Sequence, residues 1–211
     1  MATTHQAPSP LGNATQIAET LDKHGWAVFD DFITPADTVL LAAEAELALV
    51  NGNFHAAGIG RGDSFRIDEN ERRDHVLWLE PNSGTQPQRR FAANMELLRT
   101  AINERLFLGL FELETHFSAY HDGDFYKTHI DRFSDTDERT ISFIVYLNPN
   151  WLDGDGGVLR LYMEEADHQP WVDIEPKGSR IVCFLAEQFA HEVLPVSRRR
   201  LGLTGWLSKR H

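Results

Sequence analysis

Thr128-His129-Ile130-Asp131 holds the one His-x-Asp tripeptide in the chain. The surrounding run Tyr126-Lys127-Thr128-His129-Ile130-Asp131-Arg132-Phe133 reads as extended. Successive side chains of a strand alternate faces, so His129 and Asp131 are expected to present an imidazole and a carboxylate to one side. A second imidazole is available at His191, just after the apolar run Ile181-Val182-Cys183-Phe184-Leu185. Two histidines and one carboxylate on one face of a metal leave open positions, the ligand set that suits ferrous iron outside a haem. Three arginines follow at Arg198-Arg199-Arg200. By alternation Arg200 shares a face with Gly202, Thr204 and Trp206, where its planar fork could grip a carboxylate. Arg198 has the same parity. Tyr146 shares a face with Ile144, Ser142 and Thr140, so its phenol could add a donor while Ile144 forms an apolar wall.

These residues need a scaffold of short strands. From Phe111 onward the chain breaks into β-rich runs: 111–120, 125–130, 140–147, 158–163, 171–174, 180–185 and 201–207. Asn, Asp, Gly and Pro clusters separate them, which argues for a sandwich, jelly roll or barrel. The first 110 residues alternate helix and strand signals. Asn13 and Gln16 resemble a capping box, Ile17 and Leu21 share a helical face, and Gly25 can end that helix. Trp26 to Asp30 reads as a strand. Thr34-Pro35 starts a second helix, in which Leu40, Ala43, Leu47 and Val50 continue at helical spacing as far as Gly52. A third runs from about Arg89 to Leu108, with Phe91, Met95, Leu98, Ile102 and Leu106 on one side. Residues 53–74 form a Gly-rich charged loop, either surface or substrate-covering. It contains Arg61-Gly62-Asp63 but lacks the Gly-Lys-Ser/Thr of a phosphate-binding loop.

Composition bounds the partners. The 211 residues carry 32 acidic and 20 basic side chains, a formal charge of -12, which disfavours nucleic acid. One cysteine, Cys183, precludes an internal disulfide and reads as a buried strand residue. No stretch has the length and apolarity of a membrane span, and no secretory leader is visible, so a cytoplasmic protein is expected.

From Ser118 to Leu207 the chain resembles the Fe(II)- and 2-oxoglutarate-dependent dioxygenases, in particular the oxygen-sensing prolyl 4-hydroxylases and their bacterial relatives. The resembling blocks are Ala119-Tyr120, Tyr126 to Asp131, Ile144 to Asn148, Trp151, Gly156 to Leu161, Ile174 to Lys177, His191 to Val193 and Trp206, with weaker likeness from Arg73 to Glu80. The resemblance implies a mainly β, α+β fold: a double-stranded β-helix (jelly roll, cupin-like) with N-terminal helices packed on one sheet. A single domain, 1–211, would comprise a core at 111–207 and helical support with the 53–74 loop in 1–110. It implies Fe(II) held by His129, Asp131 and His191. It also implies 2-oxoglutarate held by Arg200, nine positions after His191, with Tyr146, Tyr120, Ile144 and Trp206. Tyr126, Arg139, Arg73 and Asp74 would face substrate, and ascorbate is a candidate reductant. The implied activity is hydroxylation of an exposed proline in a protein, releasing succinate and CO2. The alternatives are the same chemistry on a free amino acid or other small molecule, or a non-catalytic cupin-like metal sensor.

Overall fold

In this computed structural model, residues 10–60, 65–80, 84–131, 139–163 and 170–210 are described, and they form three helices and eleven strands. In order these are Pro10–His24 (α1), Trp26–Phe29 (β1), Pro35–Val50 (α2), His55–Ala56 (β2), His75–Trp78 (β3) and Gln86–Leu106 (α3). Leu110–Tyr120 (β4), Tyr126–His129 (β5), Arg139–Tyr146 (β6), Leu159–Tyr162 (β7) and Trp171–Ile174 (β8) follow, then Ile181–Leu185 (β9), His191–Val193 (β10) and Arg200–Lys209 (β11). Arg61-Gly62-Asp63 and Arg132-Phe133 lie outside the described residues.

Local chemistry sets the helix ends. Thr34 accepts a hydrogen bond from the Asp37 amide at 3.0 Å, and Pro35 occupies the first turn of α2, where its missing N–H is harmless. Thr85 caps α3 in the same way, ahead of the Arg89 start expected from periodicity. Gly25, at φ +76°, ends α1, its amide donating to Leu21. The start of α1 departs from expectation. The helix begins at Pro10, so Asn13 lies inside it and donates to the Asp31 carbonyl at 3.4 Å instead of capping.

The strands form two antiparallel sheets, β1-β9-β6-β11-β4-β3-β2 and β5-β10-β7-β8, the jelly-roll arrangement expected. The larger sheet draws three strands, β1, β2 and β3, from the first 110 residues. Residues 1–110 thus supply strands as well as helices.

Alternation gives the large sheet two unlike faces. Phe117, Ala119, Ile141, Phe143, Val145, Leu203 and Leu207 point outward into a core with Ile17, Leu21, Leu41, Phe91, Met95, Leu98 and Ile102 of the helices. Cys183 is buried there too, and burial pushes its thiol pKa up. Tyr120, Ile144 and Tyr146 point the other way, into a second cluster with Leu159, Leu161, Phe184 and Val193. The gap between the sheets is where a ligand can sit.

The apolar series Leu40, Leu47 and Val50 is not the buried face of α2. Asp37, Thr38, Leu41 and Ala45 are buried, whereas Leu40, Leu47 and Val50 face solvent, Leu47 63% and Val50 82% exposed. The helix is apolar on two sides, and polar anchors select between them. Arg90 of α3 pairs with Asp37, and the Thr38 hydroxyl meets that of Ser179 at 2.7 Å.

Candidate active site

β5 and β10 lie side by side with His129 directly opposite His191. Their rings sit 4.2 Å apart. Each ring places Nδ1 against a backbone carbonyl two residues earlier, His129 on Lys127 at 2.7 Å and His191 on Phe189 at 3.1 Å. Donation from Nδ1 leaves Nε2 with its lone pair free. Both Nε2 atoms turn to Asp131, His129 at 3.5 Å from Oδ1 and His191 at 3.7 Å from Oδ2. The three candidate ligand atoms lie within 4.8 Å of one another.

Asp131 arrives differently from the expectation of a shared strand face. β5 ends at His129, and Asp131 lies two residues beyond, hooked to the opposite sheet. Its Oδ2 accepts from Ser142 of β6 at 2.7 Å and from the Trp206 indole of β11 at 3.0 Å. The carboxylate thus joins the two sheets. Burial opposes its charge, but His191, His129 and the Ser142 hydroxyl outweigh burial and hold its pKa well below the usual carboxylate range. Burial pushes His191 down to about 4, so the ring is neutral and able to ligate at pH 7.

These residues edge a cavity of about 1080 Å³. At its inner end Arg200 is 2% exposed, with its guanidinium 4.9 Å from the Tyr120 ring and 5.0 Å from the Tyr146 ring. Nε and Nη2 of Arg200 and the Tyr146 hydroxyl are buried without hydrogen-bond partners. Buried donors of a cation left without acceptors are costly unless an anion meets them, and a carboxylate has the matching charge and fork geometry. The donor set therefore fits both groups: three N/O ligands for a divalent iron, and two free guanidinium nitrogens with a phenol for a dicarboxylate. Arg198 is placed elsewhere, on the surface, donating to Asn150 and Asp155.

Along β4 and β11 the inward rows stack in register: Arg200 opposite Tyr120, Gly202 opposite Ser118, Thr204 opposite His116 and Trp206 opposite Glu114. Ile144 and Ser142 border the same cavity. Trp206 lines the same cavity and donates to Asp131, and Arg139 lies 3.5 Å over its ring while pairing with Glu114 at 2.8 Å.

The loop ahead of β3 supplies the remaining wall. Arg73 does not reach the cavity. Its side chain is exposed, donates to the Glu69 carbonyl and lies over Phe125. Its neighbour Arg72, not anticipated from sequence, lines the cavity and holds Asp74 by two hydrogen bonds of 2.7 and 2.6 Å. No local signal marks it, since Arg72 and Asp74 precede β3 and lie outside its alternation. The Arg72 guanidinium sits 4.1 Å from the Tyr126 ring, which stacks on His129 at 3.6 Å. Burial pushes the Tyr126 phenol up to about 12, so it stays neutral.

Residues 115–208 match the family model described as the 2OG-Fe(II) oxygenase superfamily. The crystal structure of a Pseudomonas putida prolyl-4-hydroxylase is 37% identical, covering 94% of this chain and 100% of that one, with a TM-score of 0.83. A prolyl hydroxylase solved with a hypoxia-inducible factor peptide from Trichoplax adhaerens shares the fold at a TM-score of 0.85. It is 23% identical, covering 99% of this chain and 94% of that one. The hypoxia-inducible factor prolyl hydroxylase of Caenorhabditis elegans is 30% identical over 92% of this chain, which spans 28% of that relative's length.

Proposed function

The chain belongs to the 2OG-Fe(II) oxygenase superfamily, and from that premise we propose that it hydroxylates a proline in a protein substrate. The observation carrying this reading is the convergence of the His129, Asp131 and His191 ligand atoms within 4.8 Å, beside a buried Arg200 with two free guanidinium nitrogens. The proline preference is supported by the 37% identity to the bacterial prolyl-4-hydroxylase and by the kinship with a relative solved with a peptide.

When bound, Fe(II) and 2-oxoglutarate supply an oxidative decarboxylation that splits O2 between succinate and a hydroxyl group on the substrate carbon. The chain's own residues do the rest. His129, Asp131 and His191 hold the metal, with Nδ1 contacts fixing the direction of both rings. Ser142 and Trp206 aim the Asp131 carboxylate. Arg200, backed by Tyr146 and Tyr120, takes the far carboxylate of the cosubstrate, and Ile144 keeps water from its chain. Arg139, Asp74 and Tyr126 border the substrate side. Ascorbate is the proposed reductant that maintains ferrous iron. The low cysteine content and the absence, among described residues, of a helix long and apolar enough to cross a membrane support a cytoplasmic setting.

Purified protein, Fe(II) and 2-oxoglutarate added to a cell extract should yield prolines carrying one extra oxygen, read by mass spectrometry. His129→Ala should abolish both that mark and succinate release, and wild-type succinate formation by this variant would remove the metal assignment. Arg200→Ala deletes a charge-assisted contact worth ~1.5–3 kcal/mol and should raise KM for 2-oxoglutarate by roughly one to two orders of magnitude. Arg198→Ala should leave that KM unchanged.

A further inference from the structure

His116 stands in the inward row of β4, between Glu114 and Ser118, and borders the active-site cavity. The residue is 3% exposed. Its ring is flanked by Trp78, 4.7 Å away, and by Trp206, 5.7 Å away. Nδ1 is buried and has no hydrogen-bond partner. Two indoles flank the imidazole at tilted angles and limit its freedom to turn towards a partner elsewhere. Burial pushes its pKa down to about 3, which makes it a neutral ring at pH 7, carrying one N–H and one lone pair. A polar side chain shut in this way destabilises the fold, and an apolar ring of similar shape would serve the packing better. A buried polar group without a partner calls for a functional explanation, and this one borders the active-site cavity.

Position says which ligand. His116 pairs in register with Thr204, whereas Tyr120 pairs with Arg200. Four residues along a strand is ~13 Å, so His116 lies well above the carboxylate grip and beyond the span of a five-carbon diacid anchored there. It stands instead beside Trp206, the residue that hydrogen-bonds the candidate ligand Asp131. The cosubstrate therefore does not reach it, and the reacting part of the substrate does.

We infer that His116 is a specificity-determining residue that donates a hydrogen bond to a backbone carbonyl of the substrate next to the target ring. The inference rests on the proline reading above. A proline nitrogen in a peptide carries no hydrogen, so the chain around it offers carbonyl acceptors at this point, and a neutral imidazole N–H matches them. Trp78 and Trp206 form apolar walls on either side, suited to a saturated ring and its flanking chain.

The test compares wild type, His116→Phe and His116→Gln. His116→Phe keeps the ring but removes both nitrogens, and His116→Gln keeps a donor. Thermal melting, titration of Mn(II) and of 2-oxoglutarate, and quantitative mass spectrometry of the same treated cell extract are read for each. For His116→Phe, Tm is expected to rise by about 2–4 °C. Its Mn(II) and 2-oxoglutarate dissociation constants should match wild type. Its rate of oxygen incorporation at proline should fall about tenfold, the loss of one net hydrogen bond, with His116→Gln recovering most of that rate. Wild-type proline modification by His116→Phe would overturn the inference, as would a parallel loss of Mn(II) or 2-oxoglutarate binding, which would assign the ring to the metal site. No modified proline with the wild-type enzyme, but succinate release above background, would instead remove the proline reading, and this inference with it.

Discussion

Asp131 is held by two donors from the opposite sheet, Ser142 and Trp206, while each histidine is oriented by a carbonyl two residues before it in its own chain segment. The histidines are thus positioned locally and the carboxylate over long range. Groups that orient metal ligands affect metal affinity by roughly 10–100-fold. Ser142→Ala and Trp206→Phe should each weaken Fe(II) or Mn(II) binding within that range, and the double variant should lose more than either, as isothermal titration would record. Unchanged affinity in both single variants would mean that Asp131 is fixed by its backbone alone. His129, Asp131, His191 and Arg200, which the structure brings to one cavity, could be picked out of the sequence because each carries its chemistry in its own side chain. Ser142 was legible only as a residue on the right face, since a serine gains meaning here from what lies across a 3 Å gap. Arg72 was missed in favour of Arg73, because nothing local says where β3 and its alternation begin.

At the scale of elements, the runs read as strands match β1, β4 to β9 and β11 to within a residue or two, since turn-forming clusters bracket each run, whereas the short β2, β3 and β10 were not among those runs. The helices were placed as well as their caps allowed. Thr34-Pro35 marked the start of α2, while Asn13 misled at α1 because its side chain serves the Asp31 carbonyl instead. The orientation of α2 was not legible. Its exposed and buried sides are both apolar, and a period of 3.6 residues supports either. The decision rests on Asp37 meeting Arg90 and Thr38 meeting Ser179, contacts with residues far along the chain. Two substitutions check the assignment by thermal or denaturant unfolding. Leu41→Ala should destabilise by ~2–5 kcal/mol, as expected for a buried leucine. Leu47→Ala should stay within about 0.5 kcal/mol of wild type, the range of an exposed side chain. The reverse order would put the buried face on the Leu47 side.

For the whole molecule, the cavity is lined on one side by polar groups that a purely structural core would not contain. His116 is the clearest case for stability. Its pKa of about 3 in the fold lies below the ordinary value of 6.5, so the unfolded chain binds more protons between these limits. Stability from this residue is complete above pH 6.5 and is lost progressively as pH falls towards 3. Urea unfolding of wild type and His116→Phe across that window should show a shallower acid decline in the variant. Parallel curves would mean that His116 takes up no proton on unfolding.

The two large-sheet faces also make the site a matter of counting. Leu201, Leu203 and Leu207 of β11 feed the helix-backed core, while Arg200, Thr204 and Trp206 feed the cavity. Sliding β11 by one residue would exchange these sets, burying a guanidinium among leucines and pointing leucines at iron. The chain tolerates its irregularity elsewhere: pairing of β11 with β6 and β4 stays in step from Gly202 to Leu207 and shifts only beyond. Single-residue insertions before Trp206 should therefore erase function far more often than insertions after Leu207. The active site is in that sense a reading frame, written in the parity of one strand.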